Sequence, residues 1–169
     1  MNSSVNGHRY TRREVKFQSF EDVLAALEVI RSQSHIAIGK LTKGQIFKHL
    51  ADSVRGSLEG FPKGLTGPWI IRKIIGPLLK KRILHQKMRT GIKLPKKAVD
   101  YHPDREEFDE EEAILEYKEM IKKYQKLGSV LNHPYIGNMG SEEWTLLHLR
   151  HAELHLSFVI PTADLESIS

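Results

Sequence analysis

Between Phe20 and Ile30 the apolar residues Phe20, Val23, Leu24, Leu27 and Ile30 recur at spacings of three and four. That is the period of an α-helix with one face turned to a core. Ser19 ahead of the run and Asp22 in its first turn supply an N-cap and a first-turn acid. A second amphipathic helix is predicted behind Thr42 and Gln45, which have the capping-box spacing. Ile46, His49, Leu50, Ser53, Val54 and Ser57 share its inward stripe, and Gly56 and Gly60 weaken and end it. Glu106 to Leu127 reads as a long helix, with acids in its first turns, lysines in its last and Gly128 as its stop, an order that the helix dipole favours. Asn132 to Gly140 has turn chemistry. Ser141 is then expected to cap a final helix running to about Ile160, with Glu142 and Glu143 in its first turn and Pro161 closing it.

The segment from Gly67 to Arg89 is strongly apolar on one side and basic on the other, and Pro77 should break it into two short helices or bend it. Gly91 to Pro103, interrupted by Pro95 and Pro103, is expected to be an irregular crossover. Sustained two-residue alternation is missing, as is any repeat with a period of about 20–50 residues, so negligible strand content and no solenoid are expected. The pattern predicts one all-α domain over residues 1–169. Its economical form is a four-helix bundle with an extra basic helical insertion between the second and third main helices, and residues 1–16 as a poorly ordered or extended segment.

Composition narrows the chemistry. With 169 residues, 40% hydrophobic and 28% charged, the chain has a globular balance. It has no cysteine, which removes disulfides, iron–sulfur clusters, zinc ribbons and a cysteine nucleophile, and leaves nitrogen and oxygen as metal ligands. This composition suits a reducing cytoplasm, and with no apolar run near the ~18 residues a membrane span needs, a soluble cytoplasmic protein is expected. The net charge of +5 is distributed in blocks. Between Glu59 and Asp100 every charged side chain is a cation, whereas Asp104, Glu106, Glu107, Asp109, Glu110, Glu111, Glu112, Glu116 and Glu119 follow closely. Pairing of these blocks, within the fold or across a homodimer, would leave no specific nucleic-acid binding despite the basic total.

The final helix, SEEWTLLHLRHAELHLSFVI, carries the most informative chemistry. His151 and His155 are four apart and project within about 40° of one another, the spacing that lets two imidazoles close on one ion. His148 lies about 60° from His151 on the same face. Trp144, Leu147 and Phe158 also lie there, so the face should point inward, where each unpaired imidazole costs about 1–3 kcal/mol. Metal coordination would satisfy them together. His49, on the inward stripe of the second helix, is available as a third ligand, and three protein ligands leave a coordination position open. Zinc, nickel or ferrous iron would accept such a set. Asp52, one turn beyond His49, is a candidate to orient an imidazole or act as a base, with a solvated helix face as the alternative. Glu153 points about 160° away from the paired histidines and reads as structural. His8, His35, His85, His102 and His133 receive no role.

The pairing of LTKGQIFKHLADSVRGSLEG with LHLRHAELHLSF resembles the DinB/YfiT-like superfamily of metal-dependent enzymes, and in particular a domain-of-unknown-function branch, over about Phe17 to Phe158. The resemblance implies a four-helix bundle that holds its metal with His49, His151 and His155. Several members carry a histidine where this chain has Leu154, and many a glutamine where it has Phe158. A second register would start the ligand pair at His148 and place Ala152 at the other position. The superfamily includes thiol S-transferases, so the resemblance implies a divalent metal (zinc or nickel first, with iron or manganese as further options) and a low-molecular-weight thiol in a bacterial cytoplasm. Hydrolysis of a small molecule is the other enzymatic option. A non-enzymatic reading also stands: a helical binding module with a vestigial metal site, its basic segment Lys63 to Lys97 engaging an anionic partner, with Trp69 at one end.

Overall fold

The structure is a computed structural model and describes residues 3–5, 8–62, 64–90, 106–129 and 131–163. Ser19 accepts the Asp22 amide and Asp22 returns to the Ser19 amide, opening helix α1 at Phe20–Ser32. Thr42 and Gln45 exchange the same pair of bonds at the start of α2, Lys43–Glu59. Each cap satisfies amide groups that the first helical turn leaves without an internal partner.

The basic apolar segment forms one continuous path. A π-helical turn at Ile71–Ile75 runs directly into α3, Gly76–His85, which ends before the expected Arg89. Pro77 lies in the first turn of α3, just past the π-helical turn, so the break expected there is taken up as a change of helical pitch within one path. Gly76 makes the docking possible: a Cβ there would lie 2.4 Å from the Ile136 carbonyl oxygen. The expected crossover from Gly91 to Pro103 lies outside the described residues, and His102 with it.

Helix α4 covers Glu110–Leu127 rather than beginning at Glu106, because Asp109 accepts the Glu112 amide and caps it. Glu106 instead belongs to the approach, where its carbonyl accepts from the Gln45 side chain. Helix α5 covers Ser141–Leu156. Gly140, not Ser141, holds the cap position, and Glu143 accepts the Gly140 amide.

The expectation that α5 would reach about Ile160 is corrected. The Ser157 hydroxyl bonds the Leu154 carbonyl and the Phe158 amide bonds that of His155, tightening the last turn so that the chain leaves as a strand. Numbering the strands in chain order, Ser3–Val5 (β1) pairs with His8–Tyr10 (β2), and His35–Ala37 (β3) pairs antiparallel with Val159–Pro161 (β4). The fold is mostly helical with these short strand pairs added, which corrects the expectation of negligible strand. In the second pair Ile36 lies opposite Ile160, so the pair ties the exits of α1 and α5 together.

Helix α2 packs most extensively on α4 and also against α5, while α1 touches α4 and α5, and α3 touches α5. Their apolar faces share one core: Val23 and Leu27 from α1, Phe47, Leu50 and Val54 from α2, Ile114, Tyr117 and Ile121 from α4, and Trp144, Leu149 and Leu156 from α5. Each of these side chains is removed almost entirely from water, the main favourable contribution to such a fold.

The charge blocks do not pair with each other among the described residues. The acids of α4 reach back to earlier cations, Glu111 to Arg31, Glu110 to Lys43, and Glu116 to Lys48 and Arg55. Two of the block's cations meet acids from outside the counter-block, Lys80 with Glu143 and Lys87 with Glu14. The reason is topological: α4 lies along α2, whereas α3 docks on α5.

Candidate metal centre

The inward stripe of α2 and the histidine face of α5 meet along their length. His49 contributes from α2, and His151 and His155 from successive turns of α5. Their candidate ligand atoms all lie within 4.8 Å of one another. The Nε2 atoms of His49 and His151 are 3.1 Å apart, and the three pairs of ring centroids are separated by 4.7–4.8 Å at steep interplanar angles. Rings stacked for dispersion alone would not aim nitrogen at nitrogen. Around an ion with bonds of about 2.0–2.1 Å, tetrahedral neighbours are about 3.3 Å apart, close to the His49–His151 spacing. The donor set therefore fits a divalent ion, and the three residues are partly buried.

His151 is oriented from the other end of its ring. Its Nδ1 lies 3.2 Å from the Ser53 hydroxyl, and Ser53 is one turn beyond His49 on α2. With Nδ1 engaged there, Nε2 is left to face His49, the arrangement by which a partner outside a metal's ligands fixes an imidazole. Burial pushes the His151 pKa well below its usual value, and its neighbours His155 and His49 push the same way. Its neutral form, the form that ligates, is thus favoured. Ser53 shares the inward stripe in the sequence, but its contact with His151 depends on how α2 and α5 align.

His148 is placed differently. It is buried with Nε2 2.9 Å from the Ser57 hydroxyl, and its ring stacks on Trp144 at 5.5 Å and meets Tyr124 edge-on at 5.2 Å. It is not among the three converging rings. Burial, followed by the influence of His133, lowers its pKa to about 3. His133 is also held neutral, its pKa lowered by burial to about 4, and its Nδ1 accepts the amide hydrogens of Tyr135 and Ile136.

The two acidic candidates also have definite places. Asp52 is exposed and its carboxylate pairs with Lys48 at 2.7 Å and Arg55 at 2.5 Å, within an ion network that also includes Glu116. Glu153 is buried on the side of α5 away from the imidazoles, where it accepts the Phe17 amide at 2.7 Å and pairs with Arg150. It anchors the segment before α1. Of the remaining histidines, His35 is buried in β3 with Nδ1 3.0 Å from the Gln33 carbonyl oxygen, and His85 ends α3 in an exposed position. An open surface concavity of about 490 Å³, lined by His35, Lys40, Thr42 and Glu107 among others, lies at the entrance to α2 and does not include the converging rings.

No curated protein and no solved structure matches the chain. Residues 9–162, which contain the long helices α1, α2, α4 and α5 and the three converging imidazoles, match the sequence model of a family described as a protein of unknown function, DUF1569, and the chain belongs to that family.

Proposed function

We propose that this protein is a metal-dependent enzyme of DinB/YfiT-like type, a four-helix bundle that acts on a small molecule through an ion held by His49, His151 and His155. The observation that carries the reading is the convergence of three imidazoles from two helices, with two nitrogens only 3.1 Å apart. A divalent ion bound there, zinc or nickel by preference and iron or manganese by the same donor chemistry, would supply Lewis acidity that lowers the pKa of a bound thiol or water.

The chain's own groups supply position. Ser53 holds His151 by Nδ1, and the backbones of α2 and α5 fix the three rings before any ligand arrives. Because the chain has no cysteine, a thiol nucleophile would have to come from a low-molecular-weight co-substrate, in keeping with S-transfer in a reducing cytoplasm. Hydrolysis of a small molecule uses the same positioned site. The paired placement of Asp52 with Lys48 and Arg55 supports a structural part for that carboxylate rather than a general base.

Elemental analysis of protein purified without a histidine tag tests the reading, followed by titration of the metal-stripped chain with zinc, nickel, ferrous iron and manganese. About one ion per chain is expected, with turnover of an electrophile plus thiol, or of a hydrolysable ester, only in the loaded protein. A chain that stays empty under metal-replete conditions overturns it.

A further inference from the structure

We propose that the helical segment from Trp69 to His85 is a docking surface for an anionic lipid bilayer, an inference that does not rest on the metal site. Its apolar side faces water: Trp69 is 64% exposed, Ile70 58%, Ile74 59% and Leu78 75%, with Ile75 and Leu79 beside them. Such a contiguous patch differs from the isolated apolar side chains that any surface carries. The segment meets the core along a narrow edge, through Gly76 and Leu84, the buried residues of α3. The close approach of Gly76 to the Ile136 carbonyl fixes that edge and leaves the opposite side outward.

Charge identifies the occupant. Lys73, Lys81 and Arg82 are exposed and form no ion pair among the described residues, and from Phe61 to Val99 the sequence contains no acid. A second copy placed on the same face about a two-fold axis would bring these cations against their own equivalents. A bilayer containing anionic lipid neutralises them at its headgroups while the isoleucines, Leu78 and Trp69 enter the boundary with the acyl chains. Trp69 at one end is the residue type that such an interface favours. The segment would lie in the plane of the surface, since no helix among the described residues is long and apolar enough to cross a membrane.

The full chain should be sedimented with vesicles of pure phosphatidylcholine and of an equimolar mixture with phosphatidylglycerol. Binding to the mixture should be at least about tenfold tighter and should weaken as salt rises. Trp69 should shift its emission to shorter wavelength, a change lost in Trp69→Phe, because Trp144 is already buried. Leu78→Glu should weaken vesicle binding by about tenfold or more, and Leu78→Met should retain it. Since Leu78 is exposed, the fold should survive either change, which circular dichroism checks. Replacing Lys73, Lys81 and Arg82 together by glutamine should abolish the preference for the anionic mixture.

Failure to bind the mixed vesicles overturns the proposal. So does a dimer, seen by analytical ultracentrifugation, that Leu78→Glu dissociates, because the face then belongs to a second copy. Binding to duplex DNA that exceeds vesicle binding and ignores Leu78→Glu also overturns it, by assigning the cations to nucleic acid.

Discussion

Along α5, two groups of imidazoles lie within one turn of each other, one at its interface with α2 and one completed by His133 from the loop that precedes it, and they are built to different ends. At one level His49, His151 and His155 direct nitrogens toward a common point. One turn away, His148 gives its Nε2 to the Ser57 hydroxyl and its faces to Trp144 and Tyr124, while His133 accepts two backbone amides and lies against Trp144 at 5.3 Å. Both groups contain rings whose neutral form burial favours. What separates them is the partner of each nitrogen. Where hydroxyls, amides and aromatic faces satisfy a ring, the histidine is part of the core. Where imidazoles chiefly face one another, the site offers several lone pairs to one cation.

The sharpest way to break this contrast is to remove one ring from each group. His49→Ala, His151→Ala or His155→Ala leaves two protein nitrogens and should abolish stable metal retention, a loss well beyond the roughly 100-fold that a supporting partner controls. Metal content of the folded, purified variants measures it. If His148→Ala empties the site while His155→Ala leaves it filled, the alternative register is the correct one. The expected effect of His148→Ala is on the core instead. It opens space beside Trp144 and Tyr124 and strips Ser57 of a partner, so unfolding in urea should show a loss of about 2–4 kcal/mol, with metal content per folded chain unchanged.

How much of this can be read in advance follows from the range of each interaction. The helices and the caps at Ser19 and Thr42 are legible because their signals recur within a few residues. The three converging histidines are legible for a related reason, since a spacing of four puts His151 and His155 on one face and His49 lies on an inward stripe. Strands β3 and β4 are not. Runs of three residues carry too little alternation to reveal a period, and Val159 and Ile160 continue the apolar pattern of α5 past its true end. Nor can the sequence show that the acids of α4 meet Arg31, Lys43 and Arg55 rather than the adjacent basic block, because that depends on which helices become neighbours.

Acid should expose the structural group through stability. His133 and His148 have folded pKa values of about 4 and about 3, below the ordinary 6.5 that they regain on unfolding. Between these values the unfolded chain binds more protons, so stability increases with pH. The contribution is fully present above pH 6.5 and declines as pH falls through the window toward the folded values. From about pH 6.5 to pH 5 each ring should cost on the order of 2 kcal/mol. Urea denaturation of chelator-treated protein across this range measures the slope, and His148→Gln should flatten part of it. A profile flat down to pH 5 would mean that these rings are protonated within the fold.

The smallest effect concerns the two serines that divide the groups. Ser53 and Ser57 are one turn apart on α2, and each hydroxyl meets one histidine of α5, Ser53 with His151 and Ser57 with His148. If Ser53 fixes the His151 ring so that Nε2 faces His49, Ser53→Ala leaves the ligand present and loosens only its orientation. Metal affinity should then fall by about tenfold, toward the weaker end of what such support provides, while saturating metal still fills the site. Ser53→Thr, which keeps the hydroxyl, should restore most of the affinity. Calorimetric titration of the three proteins at fixed pH separates the cases. Unchanged affinity in Ser53→Ala would make the 3.2 Å contact incidental to the centre, and a site that cannot be filled would mean that Ser53 supports the helix pairing itself rather than one ring.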